Sequence, residues 1–174
     1  MEQGKTPITE ELLQSLVLKY QNAFMEQFPT LHLTVERTFS GRPRTDDVPF
    51  ELLPALPEAP VVSGLFFNID TDYRIGITKN NSLPGQLMTF FHEYGHACYR
   101  QKTNEAIDNP DAKIRTETAA LRCSLRLADA EGLPEVAYLA VDAAHSAALI
   151  SPEYKTALEN VQNDPLWQKY SKTN

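Results

Sequence analysis

Cysteine, glycine and positive charge are all scarce in this chain of 174 residues, and each shortage excludes something. The two cysteines, Cys98 and Cys123, cannot build a disulfide framework and lack the CxxC spacing of a structural zinc site. Both read as buried small apolar residues. Lysine and arginine number 16 against 23 acidic residues, a formal net charge of −7, which argues against nucleic acid or an anionic membrane as a partner. No apolar run approaches the roughly 18 residues of a membrane span. The opening MEQGKTPITEE has no basic-then-apolar signal pattern, so a cytoplasmic protein is expected. Glycine is sparse (7) and proline frequent (12), and the prolines cluster. With 42% apolar and 22% charged residues, the composition is that of one globular domain over residues 1–174.

What is present reads as helix, strands, then helices. Thr9 to Phe28 suits an amphipathic helix: Thr9 can cap it, Glu10 and Glu11 favour its N-terminal dipole, and Leu13, Leu16, Val17, Tyr20 and Phe24 form a stripe. Leu31 to Phe39 alternates and reads as a strand. Five prolines between Ser40 and Pro60 forbid regular structure over most of that loop. Val61 to Asn68 and Tyr73 to Lys79 read as strands joined by a turn near Asp70, Thr71 and Asp72. A helix with Pro84 in its first turn should run to about Lys102, and another from Asp108–Pro110 to about Ala130, stopped by Gly132. Pro134 to Ile150, and short segments after Ser151 and Asp164, should be helical. The expected class is α+β, with a small, mostly antiparallel sheet.

The long helix after the last strand carries His92, Glu93, Tyr94, Gly95 and His96, an HExxH motif. Residues four apart share a helix face, so His92 and His96 can reach one metal ion while Glu93 stands ready to take a proton from water. That is the pattern of a zinc-dependent hydrolase.

A catalytic zinc needs a third protein ligand and an open position. The HExxHxxGxxH pattern of metzincins fails, because Tyr99 and Lys102 stand at its glycine and third histidine. A cysteine upstream of the helix, as in deformylases, does not exist. Downstream carboxylates remain: Glu105, Asp108, Asp111, Glu117, Asp129 and Glu131. Glu105 follows His96 too soon for the chain to turn back, and Asp108 and Asp111 suit helix capping. Glu117 shares a largely apolar stripe with Ile114, Leu121, Leu125 and Ala128. A carboxylate there is costly unless paired or bound to a cation, which makes Glu117 the expected third ligand.

HExxH followed by glutamate on the next helix resembles the gluzincin arrangement. More narrowly, Phe91 to Ala97, Glu117 to Leu121, and the strand Arg74 to Lys79 before the helix resemble the small ImmA/IrrE-type metallopeptidases. The resemblance covers residues 61–130, the metal-binding core, and no DNA-binding helix-turn-helix accompanies it here. It implies a helical zincin core and one Zn2+ per chain held by His92, His96 and Glu117, with Glu93 as general base. It further implies limited cleavage of a specific protein or peptide such as a transcriptional repressor, the substrate lying extended along an edge strand at about Arg74 to Lys79.

A second electrophile often steadies the oxyanion in such enzymes, and Tyr138 and His145, seven residues apart on one helix with Asp142 between, are candidates. A polar helix face is the alternative for them. His32 should be structural or solvent-facing, and Tyr94 and Tyr99 core or rim aromatics. Two other functions remain open: a metal-containing binding module without turnover, against which the intact Glu93 weighs, and a hydrolase of non-peptide amides. Oligomeric state is not legible.

Overall fold

The computed structural model describes residues 7–38, 64–79 and 81–172; the proline-rich loop 40–60 lies outside them. Among the described residues the protein is α+β, with six helices and one three-stranded sheet. Its contacts divide into two compact units, and the division falls inside a continuous helix, between Glu93 and Tyr94.

The unit from Ile8 to Glu93 opens with α1 (Glu10–Gln27), whose first turn is closed by Thr9 Oγ1 accepting from the Leu12 amide at 3.2 Å. Leu13, Leu16 and Phe24 of the expected stripe are buried, while Val17 and Tyr20 lie at its margin. The strands are β1 (His32–Thr38), β2 (Gly64–Ile69) and β3 (Asp72–Thr78). β2 and β3 form an antiparallel hairpin, Ile69 opposite Asp72, with Asp70 taking up a positive φ of 50° in the tight turn. β1 pairs with β3 in parallel, His32 opposite Asp72 through Thr38 opposite Thr78. Tyr73, Ile75 and Ile77 fill one face of β3, and the Tyr73 ring meets Phe24 of α1 at 5.4 Å.

Two expectations are corrected here. The sheet is mixed, not mostly antiparallel, because a tight turn fixes only the β2–β3 pair. The order β1-β3-β2 also makes β3 the middle strand, hydrogen-bonded on both sides, so Arg74 to Lys79 offers no edge. Among the described residues β1 and β2 are the edges.

α2 (Leu83–Thr103) follows, with Ser82 Oγ accepting from the Gly85 amide at 3.2 Å. Asn104, at a positive φ of 51°, ends it where the expected break lies.

The unit from Tyr94 contains the rest of α2 with α3 (Pro110–Ala130), α4 (Pro134–Ala148), α5 (Pro152–Val161) and α6 (Pro165–Ser171). Each of these last four helices has proline in its first turn, where the missing N–H is harmless and the fixed φ suits the helix. The α3 cap is Asn109, which accepts from the Ala112 amide at 2.9 Å, so neither flanking aspartate has that role. α4 stops at Ala148, short of the expected Ile150, because residues before Pro152 are biased away from helix. Leu125, Ala128, Val136, Ala137, Ala157 and Val161 make the dry interior of this bundle.

Candidate metal centre

His92 and His96 sit one turn apart on α2, and Glu117 lies about two turns inside α3. One ligand atom from each of the three lies within 4.8 Å of the others. His96 Nε2 and Glu117 Oε1 are 3.6 Å apart. That separation is too long for a hydrogen bond between them. It matches two atoms sharing one zinc, since ligands about 2.0–2.2 Å from a tetrahedral ion stand roughly 3.3–3.6 Å apart.

The second nitrogen of His96 is held as well: Nδ1 is 2.9 Å from Thr116 Oγ1, in a buried pair. With the hydroxyl accepting from Nδ1–H, the tautomer leaves the Nε2 lone pair facing Glu117. Residues 116 and 117 therefore serve His96 from two sides. The donor set, two imidazoles and a carboxylate with one ring fixed by a hydroxyl, fits a zinc ion.

Burial is graded across the group. Glu117 (6% exposed) and His96 (8%) are buried, whereas His92 and Glu93 are half-buried and form the accessible side. A stripe containing Leu121, Leu125 and Ala128 surrounds Glu117, as its sequence neighbours indicated. A charged carboxylate in that setting is stabilised by a cation.

Two glycines set the approach of the elements. A Cβ on Gly95 would stand 2.7 Å from Ala120 Cα and 2.8 Å from Cys123 Cβ, so only glycine lets α3 lie this close to the histidine helix. A Cβ on Gly64, the first residue of β2, would stand 2.2 Å from Thr89 Cγ2 and 3.1 Å from Glu93 Oε1. The end of β2 thus rests directly on Glu93. Sequence reading missed Thr116, Gly95 and Gly64. The small pair Ala119–Ala120 facing a glycine was a signal for Gly95, and Thr116 beside Glu117 a weaker one; Gly64 had none.

The other carboxylates have other partners. Glu105 is gripped by Arg115 and accepts from Tyr99 Oη at 2.7 Å, and those bonds, Arg115's first, hold its carboxyl down at about 2. Asp129 accepts from Lys169 Nζ at 2.6 Å and Tyr170 Oη at 2.5 Å, Lys169 doing most to lower its pKa. Asp108 accepts from the Asn109 side chain. Asp111 is exposed in the first turn of α3, and Glu131 is its C-cap residue.

Tyr138 and His145 both lie exposed on α4, against α6: Tyr138 meets the Tyr170 ring edge-on at 5.3 Å, and His145 meets Trp167 at 5.5 Å. The group of His92, His96 and Glu117 does not include His145. His32 is solvent-facing, Tyr94 is core and Tyr99 lies at the rim. Burial pushes the Cys123 thiol up to about 12 and raises Cys98 too.

A cavity of about 560 Å³ near the start of α2, lined by Glu10, Arg37, Lys79 and Gln86 among others, shares no residue with the metal group. No described helix is long and apolar enough to cross a membrane. Comparison with protein-family models, with curated proteins and with solved structures gave no match.

Proposed function

We propose that this chain is a zinc-dependent metallopeptidase of the gluzincin kind, acting in the cytoplasm by limited cleavage of a specific protein such as a transcriptional repressor. The observation that carries the reading is the convergence of His92, His96 and Glu117, with Glu93 beside them on the accessible side. These three would hold one Zn2+ per chain. When bound, that ion supplies Lewis acidity toward water and toward the scissile carbonyl.

The chain's own residues account for the rest. Glu93 takes a proton from the attacking water and passes it to the leaving amine, so it serves as base and then acid. The end of β2 against Glu93 limits how far its side chain can swing, because Gly64 leaves no spare room there. Thr116, bonded to Nδ1, holds the orientation of the His96 ring. β2, as an edge strand touching Glu93, is the natural guide for an extended substrate, replacing the middle strand β3 in that role. Main-chain pairing along it gives affinity with little sequence preference. The resemblance of Phe91 to Ala97 and Glu117 to Leu121 to ImmA/IrrE-type enzymes supports a protein substrate.

Glu93→Gln tests the assignment. It should keep zinc and lose peptide hydrolysis by about 10²- to 10⁴-fold. Unchanged biological effect in that variant would instead support a binding module without turnover.

A further inference from the structure

The face of β2 that touches Glu93 does not end at Gly64. A Cβ on Gly64 would point at α2, 2.2 Å from Thr89 Cγ2 and 3.1 Å from both Cγ and Oε1 of Glu93. Side chains alternate along a strand, so Phe66 and Asn68 share that face with Gly64. The register agrees. Gly64, Phe66 and Asn68 lie opposite Ile77, Ile75 and Tyr73, the three buried residues that fill one face of β3. All of these, Thr89 and Glu93 included, belong to the unit from Ile8 to Glu93.

Phe66 stands apart from its neighbours on this face. Gly64 has no side chain and Asn68 is polar, so Phe66 is the single apolar side chain that β2 presents there. Ile75 and Tyr73 flank it on the inner side, the Tyr73 ring tilted against it at 5.7 Å. On its outer side no described strand follows, and Phe66 is only half-buried where Ile75 and Tyr73 are buried.

A peptide paired along that edge continues the sheet, and its side chains alternate in the same way. Side chains directly opposite each other on neighbouring strands stand about 4.5–5.5 Å apart at Cβ. The peptide residue beside Gly64 is the one at Glu93. Two residues along, roughly 7 Å away, the next side chain on this face lies beside Phe66. A large apolar group there covers aromatic surface, whereas a charged group loses water and gains no partner.

We propose that Phe66 is a specificity-determining residue that selects a large apolar side chain two residues from the cleaved bond of a peptide extended along β2. This rests on the peptidase reading for the position of the bond, and on the shared face of Gly64 and Phe66 for the rest. It supplies the register that main-chain pairing alone leaves free to slip.

The test uses the full chain and labelled octapeptides of one alanine–serine sequence, blocked at both ends, with phenylalanine, alanine or aspartate at one central position. Fluorescence anisotropy gives affinities for wild type, Phe66→Leu and Phe66→Lys, with zinc and after chelation, and thermal melts show that each variant is folded. Mass spectrometry then locates the cut that zinc-loaded wild type makes in the phenylalanine peptide. Wild type should bind that peptide about tenfold more tightly than the alanine peptide, with or without zinc. Phe66→Leu should keep most of the preference, and Phe66→Lys should exchange it for the aspartate peptide. The cut should fall two residues from the phenylalanine.

Equal binding of the three peptides by wild type, no binding of any, or a cut elsewhere would overturn the proposal, and these results need no variant to fold. So would a preference unchanged in Phe66→Lys. Absence of zinc or turnover with the binding preference intact would sink the peptidase reading alone. Normal turnover with equal binding of the peptides would sink only this inference.

Discussion

Gly95→Ala is the substitution that most sharply joins packing to metal affinity. Carbon atoms pack at about 3.5–4.0 Å, yet the added Cβ would sit 2.7 Å from Ala120 Cα and 2.8 Å from Cys123 Cβ. Neither obstacle can rotate away, because one is backbone and the other the root of a side chain. α3 must therefore retreat from α2 by roughly 1 Å. Alanine favours helix over glycine by about 1 kcal/mol, while overpacking costs about 1–3 kcal/mol. The net loss of stability is then about 0–2 kcal/mol, and the chain still folds. The ligands fare worse, since zinc distances tolerate only about ±0.2 Å and Glu117 rides on the displaced helix. Zinc affinity should fall by at least about 10- to 100-fold. A competition titration against a chromophoric chelator, paired with thermal melts, reads both quantities. Gly85→Ala on the same helix is the control, because its Cβ would meet only the Ser82 hydroxyl at 3.2 Å and the Asn81 side chain at 3.4 Å. Wild-type zinc affinity in Gly95→Ala would refute the close-approach argument.

Two further outcomes are expected. Thr116→Val removes the hydroxyl bonded to His96 Nδ1 while keeping shape, so zinc affinity should drop about 10- to 100-fold with little change in the secondary structure seen by circular dichroism; unchanged affinity would show the ring is oriented by packing alone. The Glu105 carboxyl, held at about 2 against an ordinary 4.5 chiefly by Arg115, contributes stability that is complete above about pH 4.5 and lost as pH falls toward 2. The melting gap between wild type and Glu105→Gln should therefore be constant from pH 5 to 7 and close below pH 4; a gap independent of pH would contradict the pairing.

Much of the helical framework was legible because its signals are local. Thr9 and the prolines at 84, 110, 134, 152 and 165 mark helix starts through their own side chains or rings, and Gly132 marks a stop at a φ of 68°. The grouping of His92, His96 and Glu117 was legible for a related reason: four-residue spacing is a helix property, and a carboxylate on an apolar stripe requires explanation wherever that stripe is buried. Strand order was not legible. The parallel pairing of β1 with β3 is set between segments about 40 residues apart, and nothing within either segment specifies it. The mistaken edge strand follows from that same gap. Thr116, Gly95 and Gly64 escaped because each matters only through what another element brings against it.

The most direct test of the metal centre is zinc content per chain for purified wild type beside Glu117→Ala, measured after zinc loading and gel filtration. About one zinc per wild-type chain, lost or greatly weakened in Glu117→Ala, is the expected result. No zinc in wild type even after loading, or equal zinc in both proteins, would contradict the assignment of His92, His96 and Glu117 as its ligands.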